Sequence, residues 1–171
     1  MGNEDTSIYT ASARKAFIVR ISGDEQKMLR ENEIMVGWSK AEGLLNPDLT
    51  KDEFREIIRK QYFPKDEDMR RTGQATGDIW RFVREIMLGN YVVVPTEAGF
   101  YIGKVTGPAY YDEMRIFNDT AYRRKVEWLN NKNPIPLEKT VPEVQTRLKT
   151  LQTVIDATDL YQEIEFAMRI A

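Results

Sequence analysis

The chain has 171 residues, with 25 Lys and Arg against 27 Asp and Glu, for a formal charge of -2. That length suits one domain, and 42% apolar residues can fill its core, which excludes wholesale disorder and collagen-like sequence. His and Cys are both absent, which removes thiol and imidazole chemistry, disulfides, and any zinc site built on His or Cys.

Residues 1–14 are polar and small and are expected to form a flexible leader. They carry acids and no apolar h-region, so they do not read as a secretory signal. Ala16 to Ile21 is apolar and β-branched, which predicts a strand. Ser22-Gly23-Asp24 is a turn, with Ser22 or Asp24 able to cap a short helix from Glu25 to Asn32. Ile34 to Trp38 reads as a second strand ending at Ser39. After a Gly, Asn and Pro stretch, Thr50 to Glu53 forms a capping box. Phe54, Ile57, Ile58 and Tyr62 then follow at helical spacing, and Pro64 stops that helix. Residues 65–73 are charged and expected to be exposed. Ile79, Trp80, Phe82, Val83, Ile86 and Met87 predict an amphipathic helix from near Ala75 to Gly89, with Trp80 in the core.

The centre is β-rich. Tyr91 to Pro95 is nearly all apolar, as in a strand buried on both faces. A hairpin turn over residues 96–99 leads to a return strand, Phe100 to Gly107. Further strands are predicted near Tyr110-Tyr111 and over Tyr122 to Leu129. Pro134 to Pro136 ends that region, and helices follow over Val141 to Leu151 and Thr158 to Ile170. The pattern predicts an α+β fold: a small curved sheet or barrel of five to six strands with helices packed around it. No apolar run approaches the roughly 18 residues of a membrane helix.

The order of these pieces resembles the PUA-like superfamily that includes EVE and YTH domains. Val36-Gly37-Trp38-Ser39 ends a strand, and Trp80 and Phe82 lead into Gly89-Asn90-Tyr91-Val92-Val93-Val94-Pro95. Gly99-Phe100-Tyr101-Ile102-Gly103-Lys104-Val105-Thr106-Gly107 and Arg123-Arg124-Lys125-Val126-Glu127-Trp128-Leu129 complete the series. The likeness is greatest to the EVE-like modules at the N-terminus of Mrr-type and McrB-type restriction proteins. It spans roughly residues 16–156, so residues 15–156 are expected to be the domain and 157–171 a C-terminal helix that could join a further domain. Asn90 departs from the Asp usual there, a mild change in a turn. The resemblance implies a reader of modified or flipped bases, with an aromatic cage and no cofactor, and the lack of Cys suits a reducing cytoplasm. It implies a nucleic-acid partner, modified DNA more than RNA, with any nuclease or NTPase activity on another domain or subunit.

The cage candidates are Trp38, Ser39, Phe100, Tyr101, Tyr110, Tyr111 and Trp128. Trp38 stands first, because it ends a strand and matches the first cage Trp of YTH domains, with Gly and Val exchanged in the motif. Phe100 and Tyr101 face opposite sides of one strand, so only one can reach a pocket. Trp128 alternates with Val126 and suits the core as well as a cage. Phosphate candidates are Arg14, Lys15, Lys40, Lys104, Arg123, Arg124 and Lys125, with Arg123 and Lys125 on one side of their strand and Arg124 opposite. An ordinary solvated edge strand also favours such cations.

An enzyme is not expected. Glu25-Gln26-Lys27 matches part of a nuclease motif but falls on a helix, and Asp66-Glu67-Asp68 reads as solvated loop rather than a metal site. There is no phosphate-binding GxxxxGK[ST] loop. Two other readings stand beside base reading. One is an interaction or oligomerisation module using Phe54, Tyr62, Leu160, Ile164, Phe166 and Ile170; the other is a free-nucleotide sensor.

Overall fold

The computed structural model describes residues 14–171; the expected leader otherwise lies outside them. Among the described residues, seven strands form one curled, mixed sheet, a half-barrel, in the order β2-β6-β4-β3-β1-β7, with β5 also paired to β6. The strands are β1 (Ala16–Val19), β2 (Glu33–Val36), β3 (Tyr91–Thr96), β4 (Gly99–Val105), β5 (Tyr110–Tyr111), β6 (Tyr122–Trp128) and β7 (Val154–Asp156). Among the described residues, only β1 and β3 run parallel, and every other pairing is antiparallel. The helices are α1 (Glu25–Glu31), α2 (Lys51–Tyr62), α3 (Arg70–Trp80), α4 (Pro142–Leu148) and α5 (Tyr161–Arg169).

Strand alternation sorts the apolar residues into two cores. Phe17, Val19, Val92, Val94 and Tyr101 face a core that includes Met28, Phe54, Ile58 and Ile79 from α1, α2 and α3. Ala16, Ile18, Tyr91, Val93 and Phe100 face the opposite way, against Val144, Leu148 and Ile164 from α4 and α5. The continuous apolar run of β3 follows from this double cover. Each fully buried Phe, Ile or Val contributes about 1.5–3 kcal/mol relative to exposure.

Local signals set several boundaries. The α2 capping box forms, with Thr50 Oγ1 accepting from Glu53 N–H at 3.2 Å and Glu53 Oε1 from Thr50 N–H at 3.1 Å. Asp24, rather than Ser22, caps α1 by accepting from Gln26 N–H at 2.7 Å. The helix expected from Ala75 starts earlier, at Arg70, because Asp66 accepts from both the N–H and the hydroxyl of Thr72 at 2.9 Å. It also ends earlier than Gly89. At Arg81 it widens into a π-helix that stops at Glu85.

That π-turn explains Arg124. Its Nη1 donates to the carbonyls of Phe82, at 3.0 Å, and Ile86, and its Nε and Nη2 donate to Gly107 O. Both carbonyls lie at the C-terminal end of the helix, where no intrahelical N–H pairs them, and the guanidinium satisfies them. Burial without a carboxylate lowers the Arg124 pKa to about 10. β7 was not foreseen: α4 is shorter than its pattern suggests, and the chain after it returns to pair with β1.

Candidate functional site

β2 ends at Val36, and the next three residues build a cleft. Gly37 is buried so closely that a Cβ would lie 2.8 Å from Asp119 Oδ2. Trp38 takes a left-handed backbone, φ 61°, which ends the strand's alternation. Its ring is half-buried, one side packed on the core. Ser39 is buried and fully engaged. Its N–H donates to Asp119 Oδ1 at 2.9 Å, its Oγ accepts from Ala121 N–H at 3.0 Å, and its carbonyl accepts from Tyr111 O–H at 2.6 Å. Ser39 therefore positions the turn rather than offering itself to a ligand.

Asp119 is also left-handed, φ 56°. A non-glycine residue in that region costs about 1–3 kcal/mol, and such strain clusters at functional sites. Here a strained, left-handed Trp38 faces a left-handed Asp119, a residue type that tolerates that region, across one recess. That recess, about 300 Å³, is lined by Trp38, Gly37, Asp119, Tyr62, Ser22 and Arg20, with Ile21 and Thr153 completing it. Its size is at the lower end for small-molecule sites.

The polar groups of the cleft retain capacity. Tyr62 Oη accepts from Lys40 N–H at 3.0 Å, which leaves its proton to donate. Burial pushes the Tyr62 phenol above its ordinary value, the Asp119 charge adds to that, and the Lys40 bond opposes it. The phenol is thus a neutral donor at pH 7. Asp119 spends Oδ1 on Ser39 and holds Oδ2 beside Gly37. Arg20 is committed, donating from Nε to Thr150 O at 2.6 Å and from Nη2 to Leu148 O at 2.8 Å. The cleft therefore combines an indole, a phenol donor and a carboxylate acceptor.

Of the expected cage, the structure brings Trp38, Ser39 and Tyr111 together. Tyr111 lies behind the turn, its ring 4.9 Å from that of Tyr122, whose hydroxyl donates to Ala41 O. Tyr110 points to the Glu33 carboxylate instead. Phe100 is buried in the second core, on the far face of the sheet. Tyr101 and Trp128 pack edge to face, 6.1 Å apart, and the Trp128 indole donates to Met28 O at 3.3 Å. Gly103 makes room for that indole, since a Cβ there would meet its ring at 3.2 Å. Phe100, Tyr101 and Trp128 are thus core residues, because strand alternation and helix cover leave them no route to the cleft.

The basic candidates separate too. Arg123 is 3% exposed; it donates to Glu31 Oε2 at 2.7 Å and twice to Thr120. Arg124 is 4% exposed and occupied as above. Both are corrected from phosphate contacts to interior braces, since their donors already serve protein acceptors. Arg14, Lys15, Lys40, Lys104 and Lys125 are exposed, but none lines the cleft; Lys40 adjoins it through its backbone bond to Tyr62. Trp80, expected in the core, packs against it partly buried, with its ring 5.2 Å from Phe54, while Arg84 covers its outer face at 4.8 Å.

Sequence reasoning missed Asp119 and placed Tyr62 on a helix face or a partner-contact surface rather than in a cleft. The Asn118-Asp119 dipeptide was a signal, since Asn and Asp tolerate left-handed backbone. Among the described residues, no group of three or more acids forms a metal cluster, and no helix is long and apolar enough to cross a membrane.

No curated protein matches the chain. The profile of a family described as a domain of unknown function, DUF8426, matches residues 19–155. That stretch runs from the last residue of β1 into β7 and contains both walls of the cleft. The chain accordingly belongs to the DUF8426 family.

Proposed function

We propose that the protein reads a modified base in nucleic acid, DNA rather than RNA, by holding the displaced base in the Trp38 cleft. The observation that carries this reading is the cleft itself: an indole on a strained turn, beside a phenol donor and a free carboxylate oxygen. The resemblance to EVE and YTH modules supports it independently.

The energetics are adequate. Extruding a base from its stack costs a few kcal/mol. Stacking on an aromatic face returns about 1–3 kcal/mol. A buried methyl group adds about 0.8 kcal/mol, which is the increment a reader of methylation needs. Asp119 Oδ2 can accept from an exocyclic amine of adenine or cytosine, and Tyr62 O–H can donate to a ring nitrogen or carbonyl. Only Lys40 adjoins the mouth among the exposed basic candidates, so affinity rests on the cleft and its salt dependence is shallow. The module would serve a restriction or defence system in the cytoplasm, with cleavage on another domain or partner.

A second reading has its own observation. Phe166 and Ile170 on and after α5 are 59% and 52% exposed and could join two copies. Leu160 and Ile164, expected on the same face, are buried, which narrows it.

Fluorescence anisotropy tests the first reading, with duplexes and single strands carrying adenine, N6-methyladenine, cytosine, 5-methylcytosine or 5-hydroxymethylcytosine. A tenfold preference for one modified probe, about 1.4 kcal/mol, is expected, and Trp38→Ala should abolish it. Uniform, salt-sensitive binding would reject base reading. Binding of free nucleotides alone would point to a sensor.

A further inference from the structure

The loop between β5 and β6 carries two prominent apolar side chains. Met114 is 78% exposed and Phe117 84%. The segment around them is well bonded. Asp112 Oδ1 accepts from Met114 N–H at 3.0 Å, and the N–H groups of Arg115, Ile116, Asp119 and Thr120 each find a carbonyl within the loop. Arg115 Nη2 donates to Glu31 Oε1 at 3.0 Å, which ties the loop to α1. A loop held in this way presents Phe117 to solvent instead of folding it onto the core.

Its position matters more than its exposure. Asp119, two residues on, is a wall of the Trp38 cleft. Two residues span at most about 7 Å, so Phe117 is rooted at the cleft's rim. A base that leaves a duplex for a side pocket leaves a gap in the stack, and apolar wedges such as Phe and Met fill gaps of this kind. At the base of the loop, Lys27 and Arg115 line a second recess of about 190 Å³ together with Asn118 and Thr120. Arg115 is paired there with Glu31 and Asp112, and Asp24 also lines the recess, so the exposed Lys27 is the cation available to a phosphate of the opened step. The loop's acids are Asp112, which accepts from Met114 N–H and pairs with Arg115, Asp119, whose Oδ1 accepts from Ser39 N–H, and the exposed Glu113.

We infer that Phe117, assisted by Met114, is a wedge that enters the base stack of a duplex while the displaced base occupies the Trp38 cleft. This rests on the base-reading proposal and specifies its substrate as double-stranded. A single strand needs no wedge, because its bases are already free to leave.

The experiment compares duplexes with their matching single strands, each carrying one N6-methyladenine or 5-methylcytosine and a neighbouring 2-aminopurine. Wild-type protein should raise 2-aminopurine fluorescence in the duplex. Phe117→Ala should lower duplex affinity at least tenfold, abolish that rise, and leave single-strand affinity unchanged. Phe117→Leu should restore most of the loss, and Met114→Ala should show a smaller loss of the same kind. Wild-type duplex affinity in Phe117→Ala, or equal losses on both substrates, overturns the wedge and leaves base reading standing. A wild-type protein that prefers no modified probe, in either form, overturns both. Circular dichroism of each variant separates these outcomes from misfolding.

Discussion

Two aromatic pairs in this molecule meet water in opposite ways. Tyr101 and Trp128 lie between the sheet and α1, 5% and 7% exposed, in regular strand positions. Trp38 and Tyr62 stand half-exposed in a cleft, one on a left-handed turn and the other near the end of a helix. The residue types are the same and the backbone differs. Within a strand, alternation assigns each ring to a face, and helices cover both faces here. At Trp38 the positive φ breaks that alternation and leaves one side of the ring unpaired.

The contrast can be broken most forcefully from the core side. Trp128→Ala should cost about 3–5 kcal/mol of stability, read as a lower urea midpoint, because it empties a site closed by α1 and Gly103. Ser39→Ala should cost about 1–3 kcal/mol in the same assay, since it strips the acceptor from the Ala121 N–H in a buried turn. Trp38→Ala should weaken modified-probe binding by tenfold or more, about 1.4 kcal/mol, with a smaller loss of stability than Trp128→Ala. A stability loss as large as that of Trp128 would place Trp38 in the core set.

Two finer tests sharpen the comparison. Trp38→Gly should be more stable than Trp38→Ala by about 1 kcal/mol, because glycine adopts φ 61° without strain. Equal stability would mean that the turn relaxes. Glu31 supplies the smallest effect. Burial opposes its ionisation, but hydrogen bonds from Arg115 and Arg123 hold its carboxyl below its ordinary value of 4.5. A depressed carboxylate stabilises the fold above its unfolded pKa, and that contribution is lost as pH falls below 4.5 toward the folded value. Glu31→Gln should therefore flatten the acid limb of the stability–pH profile by about 0.5–1 kcal/mol and loosen the β5–β6 loop.

Much of the fold was legible along the chain. The capping box at Thr50 to Glu53 marks α2, and the apolar run of Tyr91 to Val94 announces a doubly covered strand, because these signals depend on neighbours in sequence. β7 was not legible. Val154–Asp156 is three residues long and becomes a strand only because β1 offers it an edge. Arg123 and Arg124 read as a solvated cationic cluster, yet both are buried, because Glu31 and the carbonyls of the π-turn lie far from them in sequence.

By itself the sequence determined that this is an α+β fold without thiol or imidazole chemistry, and that a Trp closely follows its second strand. Periodicity, capping and composition are local or summed quantities, and they suffice for that much. Which aromatics face a cleft, which cations are free, and that Asp119 stands against Gly37 although it lies 82 residues further along the chain were decided only by the tertiary structure. Those properties depend on which distant groups remove water from a side chain, and no stretch of neighbouring residues carries that information.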